Sequence, residues 1–112
     1  MSEIIITAAG TRYDLANADD RYFAIEMAIS VIQDYRIALL EILTREKARP
    51  TPRPARIRDL EHAYAEARQL RRGLHDNAAK LTMVLRDILP LVNILQAALD
   101  PPPSPTSAEL AA

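Results

Sequence analysis

The stretch IRDLEHAYAEARQLRRGLHDNAAKLTMVLRDILPLVNILQAAL, residues 57–99, decides how this chain folds. Ile57, Leu60, Tyr64, Ala67, Arg71, Leu74, Ala78, Leu81, Leu85, Ile88, Val92, Leu95 and Leu99 alternate spacings of three and four. Such spacing keeps side chains on one stripe of an α-helix, and sustained from Ile57 to Leu99 it reads as a coiled-coil-like seam. Arg71 is the only charged residue on it. Residues 57–75 hold few apolar side chains off the seam. Residues 81–99 add Val84, Leu89, Leu91 and Ile94 and are apolar nearly all round. The first half therefore suits a surface helix with one covered side, and the second half demands burial on several. Pro90 predicts a kink or a split, because it lacks an N–H and its ring clashes with the carbonyl of Arg86.

Upstream, Pro50, Pro52 and Pro54 alternate in a linker at 49–55 that no helix crosses. Before that linker a helix of about 30 residues is predicted, starting after Asn17. Asn17 is a favourable N-cap, Asp19 and Asp20 suit the positive end of the helix dipole, and Arg45, Lys47 and Arg49 suit its negative end. Its apolar stripe runs through Tyr22, Ile25, Ile29, Ile32, Leu39 and Leu43, interrupted by Arg36; Met27, Val31, Tyr35, Ala38 and Ile42 widen it past half the circumference. Residues 3–15 read as a small β-hairpin, with Ile4, Ile5 and Ile6 β-branched and Tyr13 and Leu15 alternating onto one side.

These elements predict an all-α chain: two long antiparallel helices forming a helical hairpin. It carries a small N-terminal β-hairpin arm at 1–16, the hairpin at 17–99 and a disordered, proline-rich tail at 100–112. A lone hairpin leaves wide apolar faces in water, and each Leu or Ile so exposed forfeits roughly 1.5–3 kcal/mol. A homodimer packed as a four-helix bundle solves this, as does a final segment folding back after Pro90. The expected packing face is Leu81, Leu85, Ile88, Val92, Leu95 and Leu99.

Several chemistries are missing from the 112 residues. No cysteine is present, so there is no disulfide and no thiolate ligand or nucleophile. Two glycines, Gly10 and Gly73, leave no phosphate-cradling loop. The N-terminal apolar run is too short for a signal peptide, and the uncharged run Ile88–Leu99 falls short of the roughly 20 residues a membrane span needs. A cytoplasmic chain without membrane contact is the expectation. Asp59, His62 and Glu66 share a helix face, as half of a di-metal bundle site would, but opposite the apolar seam. A solvated charged face is expected there, with no metal and no cofactor. Arg36 and Arg71, set on apolar stripes, can extend their charge to solvent, pair with a carboxylate, or bind a small anion. The stretch Ala38-Leu-Leu-Glu-Ile-Leu-Thr-Arg-Glu-Lys resembles the first helix of the small all-helical chorismate mutases, whose active site uses arginines and a lysine within helices. Here the lysine falls at the proline linker and the aspartate-rich pattern before the leucines is missing, so no activity is carried over.

Charge is distributed unevenly. Residues 45–72 hold nine basic and four acidic residues, net +5, although the whole chain is −1. In a hairpin this block is the bend and the start of the second helix. Arg53, Arg56 and Arg58 stand where a helix dipole disfavours cations. A basic tip of Arg45, Arg49, Arg53, Arg56 and Arg58 therefore reads as a partner-binding surface. The expected function is a non-enzymatic protein-interaction module: a small adaptor, an assembly factor, or an inhibitor acting by surface occlusion. The alternative is a nucleic-acid-associated accessory protein whose basic tip meets phosphates. No aromatic residue stands among these arginines before Tyr64, which disfavours base stacking.

Overall fold

In the computed structural model, which describes residues 4–7 and 9–99, the chain forms a two-stranded sheet and three helices. Strands β1 (Ile4–Ile6) and β2 (Arg12–Asp14) pair antiparallel, with Ile5 opposite Tyr13. Strand alternation sends these two inward, where both are buried, and leaves Ile4 and Ile6 facing out. A two-stranded ribbon is marginal alone. This one leans on the helices: Ile5 and Tyr13 share a core with Ala24, Ala28 and Val84. The Asp20 carboxylate also accepts the Asp14 N–H at 2.9 Å, tying the arm to the first helical turn.

Helix α1 (Ala18–Lys47) has the predicted length of 30 residues. The Asn17 side chain accepts the N–H groups of Asp19 and Asp20, and Arg45 and Lys47 occupy the last turn. Helix α2 (Pro54–Gln69) returns along α1, and helix α3 (Ala78–Leu99) runs beside α1 in its direction. Two contacts fix that direction. Arg21 donates to the carbonyl of His75 in the turn just before α3, and Arg45 donates to the carbonyl of Leu99 at its end.

The expected two-helix hairpin is corrected here to three helices. The seam through residues 57–99 is not one helix, because the chain turns at residues 70–77. Gly73 takes φ +70, a left-handed conformation that an L side chain resists. Hydrogen bonds at Arg72–Gln69, Leu74–Arg71 and Asp76–Gly73 tighten the segment into successive turns. Asn77 then caps α3 by accepting the Lys80 N–H, and Lys80 Nζ donates to the carbonyls of Gln69, the last residue of α2, and of Arg72 in the turn. Leu74 is buried within the turn, which is how the apolar periodicity passes through it unbroken. The fold-back thus comes at 70–77 and not after Pro90. At Pro90 the helix continues, preceded by a π-helical turn at Val84–Ile88 in which the Leu89 N–H reaches the Val84 carbonyl. The wider turn is the local adjustment expected beside a residue that cannot donate.

Helix α1 is the shared wall of two cores. One joins Ile25, Val31 and Ile32 to Leu74, Leu81, Val84, Leu85 and Val92; the other joins Leu39 and Leu43 to Leu60 and Ala67. Helices α2 and α3 pack chiefly on α1 and scarcely on each other. Of the expected packing face, Leu81, Leu85, Val92 and Leu99 are buried and Ile88 and Leu95 are half-buried, all within one chain. Much of the cover for this face comes from α1. At 22 residues α3 is long and apolar enough, by length and composition, to cross a membrane. The sequence count stopped short because Arg86 and Asp87 interrupt the uncharged run that the helix itself includes. The expectation of a loose tail at 100–112 lies outside the described residues.

Candidate functional site

Three helix ends meet at one pole of the molecule: the last turns of α1 and α3 and the first turn of α2. They enclose a groove of about 310 Å³ lined by Ile42, Arg45, Glu46, Arg49, Arg53, Arg56, Leu95, Ala98 and Leu99. Its floor is aliphatic and its rim carries four arginines. The proline linker produces this convergence by returning α2 against α1, so that arginines from 45 to 56 share one opening. Arg58 is exposed on α2 and does not line the groove. Two residues beyond Arg56, it stands on the other side of the helix. Of the five arginines in the predicted tip, the fold therefore gathers four.

Glu46 holds the pole together. It is only 5% exposed. Its Oε1 accepts from Arg53 Nε at 2.8 Å and from the Arg53 backbone N–H at 3.1 Å, and its Oε2 accepts from Arg53 Nη2 at 2.9 Å. Arg49 Nη1 approaches Oε2 at 3.5 Å. The side-chain hydrogen bonds from Arg53 lower the Glu46 pKa most; burial opposes them, and the Arg53 backbone N–H and the charges of Arg53 and Arg49 lower it further, to about 2. The same pairing raises the Arg53 pKa. Arg53 thus stands at the start of α2 as a strut of the bend, supplying no side-chain cap itself but locked to a carboxylate. Arg45 spends one N–H on the Leu99 carbonyl at 3.2 Å. Among the described residues Arg56 forms no ion pair, so the groove keeps a net positive rim.

The other candidate residues lie elsewhere. His62 pairs with Glu66 at 3.0 Å on the outer side of α2, both largely exposed, and no cluster of three metal-capable side chains occurs among the described residues. His75 is exposed in the turn, where its carbonyl serves Arg21. Arg71 is exposed in the same turn.

Two features took shape only in the fold. Tyr22 and Met27, assigned by spacing to the apolar stripe of α1, face outward with Phe23, Ile37 and Leu40. The buried sector of α1 is set by the two helices beside it, and these residues fall beyond both. Tyr22 and Phe23 meet edge to face at 5.7 Å, with Phe23 58% exposed. The second feature is Arg36, half-buried over the Tyr64 ring at 5.7 Å. Compared with known protein families, curated proteins and solved structures, the chain finds no match.

Proposed function

We propose that this chain is a non-enzymatic protein-interaction module that docks an acidic segment of a partner protein in the arginine-rimmed groove, acting as an adaptor, assembly factor or inhibitor by occlusion in the cytoplasm. The observation that carries the reading is the convergence of Arg45, Arg49, Arg53 and Arg56 over an aliphatic floor. Arginine forks suit carboxylates, and an apolar floor suits the flanking side chains of a peptide. Among the described residues Glu46 is the one carboxylate in the groove; it is engaged by Arg53 and is poorly placed to act as a base. Nucleic-acid phosphates would use the rim but gain little from Ile42, Leu95 and Leu99, and no aromatic ring lines the groove for base stacking. A homodimer belongs to the same proposal, formed through surfaces that α1 leaves open, such as its outward face or the Ile94 side of α3.

The test is capture from the source organism's lysate with wild type and with Arg49→Gln plus Arg56→Gln, each with and without nuclease. Exposed arginines contribute within about 0.5 kcal/mol each to folding, so both proteins should stay folded, with melting lowered by a few degrees at most. A protein retained by wild type, lost by the variant and indifferent to nuclease supports the docking groove. Retention that vanishes with nuclease moves the groove to the nucleic-acid reading, and capture by the variant equal to wild type places the partner site elsewhere.

A further inference from the structure

We propose that Arg36 is a second docking point, built to receive a carboxylate presented between apolar side chains on a partner polypeptide. Arg36 lines a groove of about 260 Å³ between α1 and α2, together with Gln33, Ile37, Leu40 and Tyr64. Its guanidinium carbon lies 5.7 Å from the Tyr64 ring centroid, within cation–π reach. Among the described residues Arg36 has no carboxylate partner, and its Nε is covered yet has no acceptor. A buried donor without an acceptor is a rare and costly arrangement. A carboxylate entering the groove pairs with the outer nitrogens of the fork in the bidentate geometry that arginine favours.

The surroundings specify the rest of the ligand. Ile37 is 59% exposed and Leu40 is 47% exposed, so the apolar surface beside the arginine is open along α1. A small molecule is held by being largely enclosed, which this shallow groove does not do. A polypeptide can lay an acidic residue on Arg36 and apolar neighbours on Ile37 and Leu40. The Gln33 amide and the Tyr64 hydroxyl border the same groove and add donors without adding negative charge. The site is independent of the pole described above. Arg36 and Arg45 stand about two and a half turns apart, on opposite sides of α1.

The experiment titrates the isotope-labelled full chain with acetyl-Ala-Leu-Glu-Leu-Ala-amide and follows backbone amide shifts. Saturable shifts at Gln33, Ile37, Leu40 and Tyr64 are expected, with affinity about tenfold weaker for the Gln counterpart peptide and for Arg36→Met, which keeps most of the aliphatic stem. Arg36→Lys, which keeps charge but not the fork, should fall between. The peptide comparison on the wild-type chain decides the matter even if an Arg36 variant folds poorly. The proposal is overturned if the groove amides do not move, if the Gln peptide or the Met variant binds as well, or if the shifts centre on Arg45, Arg49 and Arg56. Equal shifts from free acetate would also overturn it, by making the site one for small carboxylates.

Discussion

At Glu46 one carboxylate joins three segments, and its protonation should be felt by the whole fold. The sign follows from the lowered pKa. A carboxyl that ionises more readily when folded stabilises the fold fully above its ordinary value of 4.5, and that contribution is lost as pH falls towards 2. The melting temperature of wild type is expected to drop across that window, and Glu46→Gln should melt lower at neutral pH with a flatter profile below pH 4.5. Equal pH profiles for the two proteins would show that the Arg53 pairing does not persist in solution. The cations at the start of α2 were legible in the sequence as an anomaly of the helix dipole, but the partner of Arg53 was not. Glu46 lies seven residues earlier across a proline linker, and spacing has no meaning where the helical period is broken. Arg36 was legible as an intruder on an apolar stripe; its ring partner Tyr64 and its missing acceptor depend on how α2 is set against α1.

Among the elements, the turn at 70–77 separates what periodicity can and cannot tell. Gly73 and Asn77 are ordinary stop and start signals, a left-handed position after one helix and an N-cap before the next. The unbroken apolar spacing masks them, because Leu74 keeps it while lying in a turn. The distinction is measurable by sign. In a continuous helix Gly73→Ala would stabilise by about 1 kcal/mol. At φ +70 it should instead destabilise by about 1–2 kcal/mol, and since nothing lies within 4 Å of an added Cβ the cost is backbone strain alone. Asn77→Ala should cost about 1 kcal/mol through loss of the cap. Urea unfolding of both variants reads these values, and a stabilised Gly73→Ala would restore the single long helix. The bounds of helix α1 and the pairing of the arm were legible, because cap residues, dipole charges and strand alternation there agree with the packing that forms; the outward turn of Tyr22 and Met27 was not.

At the scale of the molecule, twelve buried residues among those described join the arm, α1, the turn and α3, whereas four join α1 to α2. With so little contact between α2 and α3, local opening should be uneven. Native-state hydrogen exchange is expected to show amides of residues 54–69 opening at a lower free energy than those of residues 81–92. A single shared opening energy would instead make the molecule one cooperative unit. The groove draws on both α2 and α3, with Arg53 and Arg56 at the start of the one and Leu95 and Leu99 near the end of the other. The groove therefore exists only while α2 is seated. An occupant that grips this rim acts as a latch on the loose helix, raising its opening energy by mass action as its concentration passes the dissociation constant. The protection of α2 against exchange then becomes a gauge of occupancy that needs no label on the partner.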